Sequence, residues 1–360
     1  MPAALADFSG PVSAEELAGL ACEEDVESTL EIDSEAGCAQ ESGPFAEQRF
    51  LDLPAFGWQL QVRAVNRQVP ALALLLDRFS FIPNWQIDRL DALYTPPQSR
   101  SSARSIAQGL FVLGAQGHLQ IEAQLELEAE AQTHLKEPPS AAFAPTQSWR
   151  LAHGDLLYLP PGLDYRLATD ERDGLAFILH CYTPHLGDLL TAFCRQALAQ
   201  FDLDARYAED ESTGQGSPGE LAPSARAAVR DLVRALALDD EAIDRGYGAF
   251  ITGLRDDEFL PEPEEALRPK KFRELFKKHK TLWRSEYARY AQLTDARGNA
   301  LLFVAGETFE LVGEGAKLAR LLASRRLFHH RELAPCLDDK ALLETLTDLY
   351  NRGALYFPEG

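Results

Sequence analysis

The sequence predicts an α+β protein in which an antiparallel β-barrel or jelly roll is followed by a helical region and a winged-helix domain. Between Trp85 and Pro184, apolar and polar residues alternate with a period of two, which is typical of half-buried antiparallel strands. After Pro184 the apolar spacing becomes helical, and the chain ends in helices and short apolar strands. At 360 residues the chain is long enough for two or three domains.

The segment before the barrel is predicted to be mainly helical. It is acidic, and Ser13 and Glu16 have the spacing of a capping box at a helix start. We expect helical structure to continue until Gly43-Pro44 breaks it. From 58 to 75 the apolar pattern indicates a strand that passes into a helix.

The barrel strands are the most distinct elements of the sequence. The clearest alternation runs from His118 to Ala129, where apolar residues alternate with His, Gln and Glu, so one face is expected in the core and one in water. Four further strands are predicted, at 87–94, 110–113, 156–159 and 175–182.

The C-terminal half is predicted to be mainly helical. Helices are expected at 189–201, 222–238, 241–254, 315–324 and 338–351, and strands at 301–304 and 354–357. An amphipathic helix beginning near Lys270 is indicated by Phe272, Leu275, Phe276 and Leu282. We place the domain boundaries so that 1–185 form the barrel domain with its N-terminal segment, 186–292 the helical region and 293–360 the winged helix.

Charge and composition restrict the class of partner. The formal net charge of −21 disfavours nucleic acid, whose binding requires a basic surface. Five of the eight lysines lie within 270–280, and we interpret them as a solvated helix face neutralised by the acidic segment 256–265. Five scattered cysteines show no metal-ligand spacing, and no apolar run is long enough to cross a membrane. We therefore expect a cytoplasmic protein that does not contact a membrane.

Several stretches, in order and at preserved spacing, carry a family resemblance. They are 12–21 (VSAEELAGLA), 43–45 (GPF), 64–66 (AVN), 82–90 (IPNWQIDRL), 154–162 (GDLLYLPPG) and 353–360 (GALYFPEG). With these stretches the chain resembles the cupin-type JmjC ribosomal oxygenases, which hydroxylate an arginine or histidine of a ribosomal protein. The bacterial uL16 arginine hydroxylases are the nearest members. The resemblance implies a jelly-roll (double-stranded β-helix) domain, a helical dimerisation region and a winged helix. It also implies a further stretch before the first helix, which is expected to be either absent or reduced to 1–10, unless the start codon is misassigned.

The resemblance further implies iron(II) and 2-oxoglutarate as cofactors, held by a His-x-Asp pair, a second His and a basic anchor. Aligned without gaps on Phe111 and Gly117, this chain has Arg104 and Ile106 at the first two ligand positions. The third position is Tyr165, three residues after the Pro-Pro-Gly turn, and the anchor position is Leu119. The guanidinium and the alkyl side chain have no lone pair to give to iron, and tyrosine is an uncommon ligand for this site.

Replacement ligands were sought among the remaining histidines. His153 and Asp155 form a His-x-Asp pair, although Asp155 is expected to accept backbone hydrogen bonds in the turn before the next strand. His180 at the end of the last barrel strand, together with His118, is a second candidate near the former pocket. For both histidines, a hydrogen-bonded place in the barrel wall is the favoured interpretation.

Two functions are therefore compared. The favoured one is a non-catalytic homodimer that needs no cofactor and captures a basic protein or peptide, such as a ribosomal protein, because opposite charge favours encounter. The alternative is an active protein hydroxylase or oxygenase with relocated metal ligands. Metal content and 2-oxoglutarate consumption discriminate between the two.

Overall fold

The computed structural model describes residues 1–358 except 6, 9, 35–36, 125–142, 207–220, 222, 256–257 and 295–297. Its helices are α1 (Ala14–Leu20), α2 (Glu47–Leu51), α3 (Pro70–Leu75), α4 (Leu186–Leu198), α5 (Pro223–Arg234), α6 (Asp240–Thr252), α7 (Pro269–His279), α8 (Gly315–Ser324), α9 (His330–Asp338) and α10 (Lys340–Asn351). Two compact units result: Met1–Thr183 with Ser324–Leu327, and Pro184–Ala323 with Phe328–Gly360.

The first unit is built on a β-sheet that closes into a jelly roll. Its strands are β1 (Ser28–Ser34), β2 (Gly37–Ser42), β3 (Trp58–Val62), β4 (Ile87–Thr95), β5 (Arg104–Ser105), β6 (Leu110–Gln124), β7 (Gln147–Leu151), β8 (Leu156–Leu159) and β9 (Asp164–Cys181). They follow the order β2-β1-β3-β4-β9-β6-β7, with β5 paired to β9 and β8 paired to β6. The jelly-roll prediction is therefore confirmed.

The two longest strands each belong to both layers of the jelly roll. The first half of β6 pairs with β8 and the second half of β9, whereas its second half pairs with β7 and the first half of β9. The register shifts between Gly114 and Gln116 and between Gly117 and Leu119, which divides the halves. Sequence alternation predicted these halves as separate strands. The predicted continuation at 125–129 lies outside the described residues.

One layer of the jelly roll separates an outer apolar cluster from an inner one. Leu30, Leu60, Leu90 and Phe177 belong to an outer cluster that the N-terminal segment covers. An inner cluster, made by the facing surfaces of the two layers, contains Leu93, Ile121 and their neighbours. Beyond the register shift between Ile87 and Arg89, successive side chains of β4 point to opposite faces, so Leu90 and Ala92 point outward and Leu93 points inward.

One N-terminal prediction is wrong. The capping box of Ser13 and Glu16 is present at α1, but the helical expectation does not hold beyond it, because Ser28–Ser34 and Gly37–Ser42 pair as the antiparallel strands β1 and β2. Leu30 lies in the outer cluster while Glu31 points to the opposite face, so this segment has the period of a strand. Its acidic residues obscured that period.

The second unit contains the helical region and the winged helix. Its strands are β10 (Thr281–Arg284), β11 (Tyr290–Thr294), β12 (Ala300–Val304), β13 (Glu307–Leu311), β14 (Leu327–His329) and β15 (Leu355–Tyr356), in two sheets, β14-β10-β15 and β11-β12-β13. Phe272 and Phe276 of α7 are fully buried in its core. Leu282 was predicted to continue that helix but lies in β10, because α7 ends at Lys280 in a left-handed conformation.

Several large apolar side chains of the helical region are exposed. Val229, Leu232 and Val233 of α5 are exposed, and so are Leu186 and Leu190 of α4. Among the described residues, no helix combines the length and the apolar character needed to cross a bilayer.

Candidate functional site

The two residues at the first ligand positions lie together at the inner face of the jelly roll. Arg104 is in the short strand β5 and pairs directly with Tyr165 of β9, so two of the three ligand positions are neighbours. Ile106 follows β5, is buried in the inner cluster and exchanges backbone hydrogen bonds with the turn at Gly162 and Leu163. The structure therefore brings the three positions to one place.

The Arg104 side chain points inward and is held by acceptors on the opposite layer. Its Nη2 donates to Glu31 Oε1 at 2.9 Å and to Gln59 Oε1 at 3.1 Å. Its Nη1 donates to Gln61 Oε1 at 2.9 Å. Burial disfavours the charge, but Tyr165 and Glu31 outweigh it, so the pKa of Arg104 is raised above its usual value. The guanidinium therefore stays charged.

Each amide acceptor is oriented by a further hydrogen bond. Gln59 Nε2 donates to Thr95 Oγ1 at 2.7 Å, and Gln61 Nε2 donates to Asp91 Oδ2 at 3.0 Å. Because the amide nitrogens are used there, both amide oxygens are directed at Arg104. The acceptors are thus fixed by their own neighbours and do not depend on Arg104 alone for their orientation.

Glu31 is held in the same way. Its Oε1 also accepts from Gln40 Nε2 at 3.0 Å, and its Oε2 accepts from the Ser102 hydroxyl at 3.2 Å. The carboxylate is 6% exposed and the Arg104 side chain 21% exposed, so water screens this ion pair only weakly. We call Glu31, Gln59, Gln61 and Tyr165 the Arg104 cradle.

Glu31, Gln59 and Gln61 of the cradle, and Asp91 behind it, could not be identified from the sequence for one reason. Glu31, Gln59 and Asp91 alternate with Leu30, Leu60 and Leu90, and such polar residues are usually expected to face water. Here the leucines face the outer cluster and the polar residues face the interior. The alternation of polar and apolar residues is visible in the sequence, but it does not show which of the two strand faces points to the interior of the jelly roll.

The remaining family positions are apolar or neutral. Tyr165 and Leu119 are both buried in the inner cluster. Leu119 packs so closely on Gly174 that a Cβ atom added to Gly174 would lie 2.7 Å from Leu119 Cγ. Burial raises the pKa of Tyr165, and the Arg104 charge only partly opposes this. Tyr165 therefore stays protonated and Leu119 cannot bind a carboxylate.

These residues do not fit an iron(II) and 2-oxoglutarate centre. Iron requires ligands with lone pairs, and the positions hold a hydrogen-bonded guanidinium, an alkyl side chain and a buried neutral phenol. A 2-oxoglutarate anchor requires a cation, and Leu119 is surrounded by apolar neighbours. The side chains at these positions therefore lack the lone pairs and the cation that such a centre requires.

The candidate replacement ligands are engaged elsewhere. His153 Nδ1 and Nε2 each lie 2.6 Å from a backbone carbonyl oxygen, of Ala115 and Phe8 respectively. Asp155 accepts from the backbone N–H groups of Ala3 and Ala152 at 2.8 and 2.9 Å, as expected for a turn residue. Both side chains therefore hold neighbouring backbone segments at this turn.

His118 and His180 do not share a site. His180 Nε2 lies 3.0 Å from Oδ2 of the fully buried Asp91, a partner that was not foreseen. His118 instead lines a surface groove of about 300 Å³ with Arg150, Asp170, Glu171 and Arg172. Within the part of the chain that the structure describes, no group of three or more His, Cys, Asp or Glu residues is arranged to hold a metal ion.

Asp91 links the cradle to the barrel wall and carries a pH prediction. Burial acts to raise its pKa, but the hydrogen bond with His180 and the charges of His180 and Arg89 outweigh it, so the pKa of Asp91 lies well below its usual range. Such a group stabilises the fold above the unfolded pKa of about 3.9 and loses this contribution as the pH falls toward the folded value.

We therefore expect Asp91→Asn to be less stable than the wild type at neutral pH, with a difference in free energy of unfolding that shrinks between about pH 5 and pH 2. Urea denaturation at a series of pH values measures it. A difference that stays constant over this range would contradict the lowered pKa. Asp88→Asn, beside the same Arg89, is the matched control, since the Asp88 side chain is partly exposed whereas that of Asp91 is fully buried.

Two family profiles match the chain in succession. The JmjC domain family matches residues 74–189, and the ROXA-like winged helix matches residues 233–356. The ribosomal protein uL16 3-hydroxylase of Escherichia coli is 24% identical over 98% of this chain and 92% of its own length. A probable ribosomal oxygenase of Haemophilus influenzae is 26% identical over 56% of this chain and 51% of that protein.

The fold comparison gives the same result. The ribosomal oxygenase YcfD of Escherichia coli, solved in complex with cobalt and 2-oxoglutarate, superposes with a TM-score of 0.80 at 23% identity, covering 98% of this chain and 92% of YcfD. A likeness at this identity shows the fold. The chain thus matches a JmjC domain followed by a ROXA-like winged helix, and it is similar over almost its whole length to a ribosomal oxygenase.

Proposed function

We propose that this protein is a non-catalytic member of its family that binds a basic protein. One observation carries the proposal: the first iron-ligand position is Arg104, whose guanidinium is bonded to Glu31, Gln59 and Gln61 inside the jelly roll. A cation at this place repels a second cation and has no lone pair to give it. Ile106, Tyr165 and Leu119 add no ligand or anchor, so no iron or 2-oxoglutarate is expected.

The partner is proposed from charge and from the relatives. The uL16 3-hydroxylase acts, by its name, on a ribosomal protein, and ribosomal proteins are basic. A net charge of −21 on this chain accelerates encounter with such a partner and disfavours nucleic acid. We place the complex in the cytoplasm.

The assembly is proposed to be a homodimer formed by the helical region 186–292. The exposed apolar residues Val229, Leu232 and Val233 of α5 support this, because clustered exposed apolar side chains mark interfaces more often than solvated surface. The domain plan of 1–185, 186–292 and 293–360 remains part of the proposal.

One experiment tests binding and catalysis together. Immobilised full-length protein is incubated under air with purified ribosomal proteins, iron(II), ascorbate and 2-oxoglutarate, and the retained proteins are measured by intact mass. We expect a basic ribosomal protein to be retained at low salt, released as salt screens the charges, and unchanged in mass. The E. coli uL16 3-hydroxylase, treated identically, is the positive control for oxygen transfer.

The outcomes separate the candidates. Retention of a protein that gains the mass of one oxygen atom supports the alternative, an active hydroxylase with relocated ligands. Failure to retain any ribosomal protein at low salt overturns the binding proposal. Retention that does not weaken with salt would show that charge complementarity is not its basis.

A further inference from the structure

We propose that the Arg104 cradle is a guanidinium-binding site inside the jelly roll and that Arg104 is its built-in ligand. The site takes the side chain of an arginine, and in this chain the arginine comes from strand β5. The inference rests on the hydrogen-bond network described above and does not depend on the proposed function.

The donors and acceptors match a guanidinium in number and direction. Three acceptor oxygens, from Glu31, Gln59 and Gln61, receive N–H groups from two different nitrogens of Arg104 at 2.9 to 3.1 Å. A planar, forked cation presents its N–H groups in fixed directions, whereas an ammonium group is a compact point charge with three donors on one atom. Acceptors spread around two nitrogens therefore favour guanidinium over ammonium.

The acceptor side chains are held in position by neighbours other than the Arg104 cation. Gln59 is oriented by Thr95, Gln61 by Asp91, and Glu31 by Gln40, and none of these contacts involves Arg104. Sites whose groups are held by their own neighbours lose little freedom when a ligand binds. The cradle is thus expected to remain formed when Arg104 is shortened.

The charge of the cradle also suits a single cation. Asp91 is already paired with Arg89 and His180, which leaves Glu31 as the carboxylate that Arg104 neutralises. Tyr165 adds a hydrogen bond to Arg104 from the β9 side. Without Arg104, the buried Glu31 carboxylate would keep Gln40 and Ser102 as donors but lose its counter-cation, and the amide oxygens of Gln59 and Gln61 would each lose a donor. Both losses favour binding of a replacement cation.

The test is chemical rescue of Arg104→Ala. We expect the melting temperature of this variant to rise with millimolar guanidinium or ethylguanidinium, by about 4 °C at tenfold excess over the dissociation constant. Methylammonium at the same ionic strength should give no rise. The wild type, whose cradle is filled by Arg104, should respond to neither cation.

Two variants make the result specific. Arg150→Ala removes an arginine whose ion pair with Asp170 is exposed, with 63% and 45% of the two side chains accessible, and it should show no rescue. The double variant Glu31→Gln with Arg104→Ala removes the unpaired carboxylate together with the arginine. It should fold without added cation and lose the response to guanidinium.

Every outcome decides the proposal. Rescue by guanidinium alone, absent from the double variant, supports it. Equal responses to guanidinium and methylammonium, no response to either, or an unchanged response in the double variant overturns it. If Arg104→Ala does not fold by itself, the yield of folded protein on refolding with each cation is the readout, and equal yields overturn the proposal in the same way.

Discussion

Replacing Arg104 with alanine is expected to lower the free energy of unfolding by about 3 to 5 kcal/mol, the usual cost of removing one partner of a buried ion pair. The reason is the carboxylate of Glu31, which is 6% exposed and would lose its counter-cation in a place that water reaches poorly. The oxygens of Gln59 and Gln61 would lose a donor as well. Urea denaturation monitored by tryptophan fluorescence measures the change.

The matched control is Arg150→Ala. Arg150 also pairs with a carboxylate, that of Asp170, but both side chains are well exposed, so the expected loss is about 0 to 1 kcal/mol. If the two variants lose similar stability, the Arg104 network is no more than a surface ion pair. A loss restricted to Arg104→Ala supports the buried network.

Placing arginine at position 119 is expected to destabilise the protein by about 4 kcal/mol or more, because a buried unpaired cation costs several kcal/mol. This change recreates the cationic anchor that the family resemblance implies there. Leu119 has apolar neighbours in the inner cluster and packs against Gly174, so a guanidinium at this place has neither space nor a carboxylate. Thermal unfolding of Leu119→Arg measures the effect.

Leu119→Met is its control, since a swap that conserves volume in a core usually costs less than about 1.5 kcal/mol. A Leu119→Arg variant as stable as Leu119→Met would mean that the interior beside position 119 is open and polar. One substitution could then restore the cationic 2-oxoglutarate anchor at position 119, and this result would contradict a closely packed interior.

Much of the fold could be predicted because the period of apolar residues was clear. The strand at 156–159 and the helix at 315–324 have the predicted bounds, and the capping box of Ser13 and Glu16 is present. Leu119 was placed on the buried face of its strand by alternation alone, and it is buried. Periodicity reports which residues share a face, and that was sufficient for these elements.

The candidate site could be predicted only in part. The resemblance identified Arg104, Ile106, Tyr165 and Leu119, and the structure brings these residues to the interior of one jelly roll. Their partners were not predictable, because the hydrogen bonds of Arg104 join strands more than forty residues apart in sequence. A polar strand face looks the same in sequence whether it faces water or a buried network.

The network also predicts that single substitutions will not create an iron site in this chain. Position 104 now neutralises Glu31, and position 106 is part of the apolar cluster. A histidine at 104 and an aspartate at 106 would introduce ligands while removing a buried ion pair and adding a polar group to the core. We therefore expect an iron site at these positions to require a repacked interior as well as new ligands.

The central claim, that this chain does not perform iron and 2-oxoglutarate chemistry, is tested most directly on the purified protein. After anaerobic loading with iron(II) and desalting, its iron content and its conversion of 2-oxoglutarate to succinate under air are measured beside the E. coli uL16 3-hydroxylase. We expect substoichiometric iron and succinate formation no faster than in buffer. Stoichiometric iron together with 2-oxoglutarate turnover by the unmodified chain would contradict the claim.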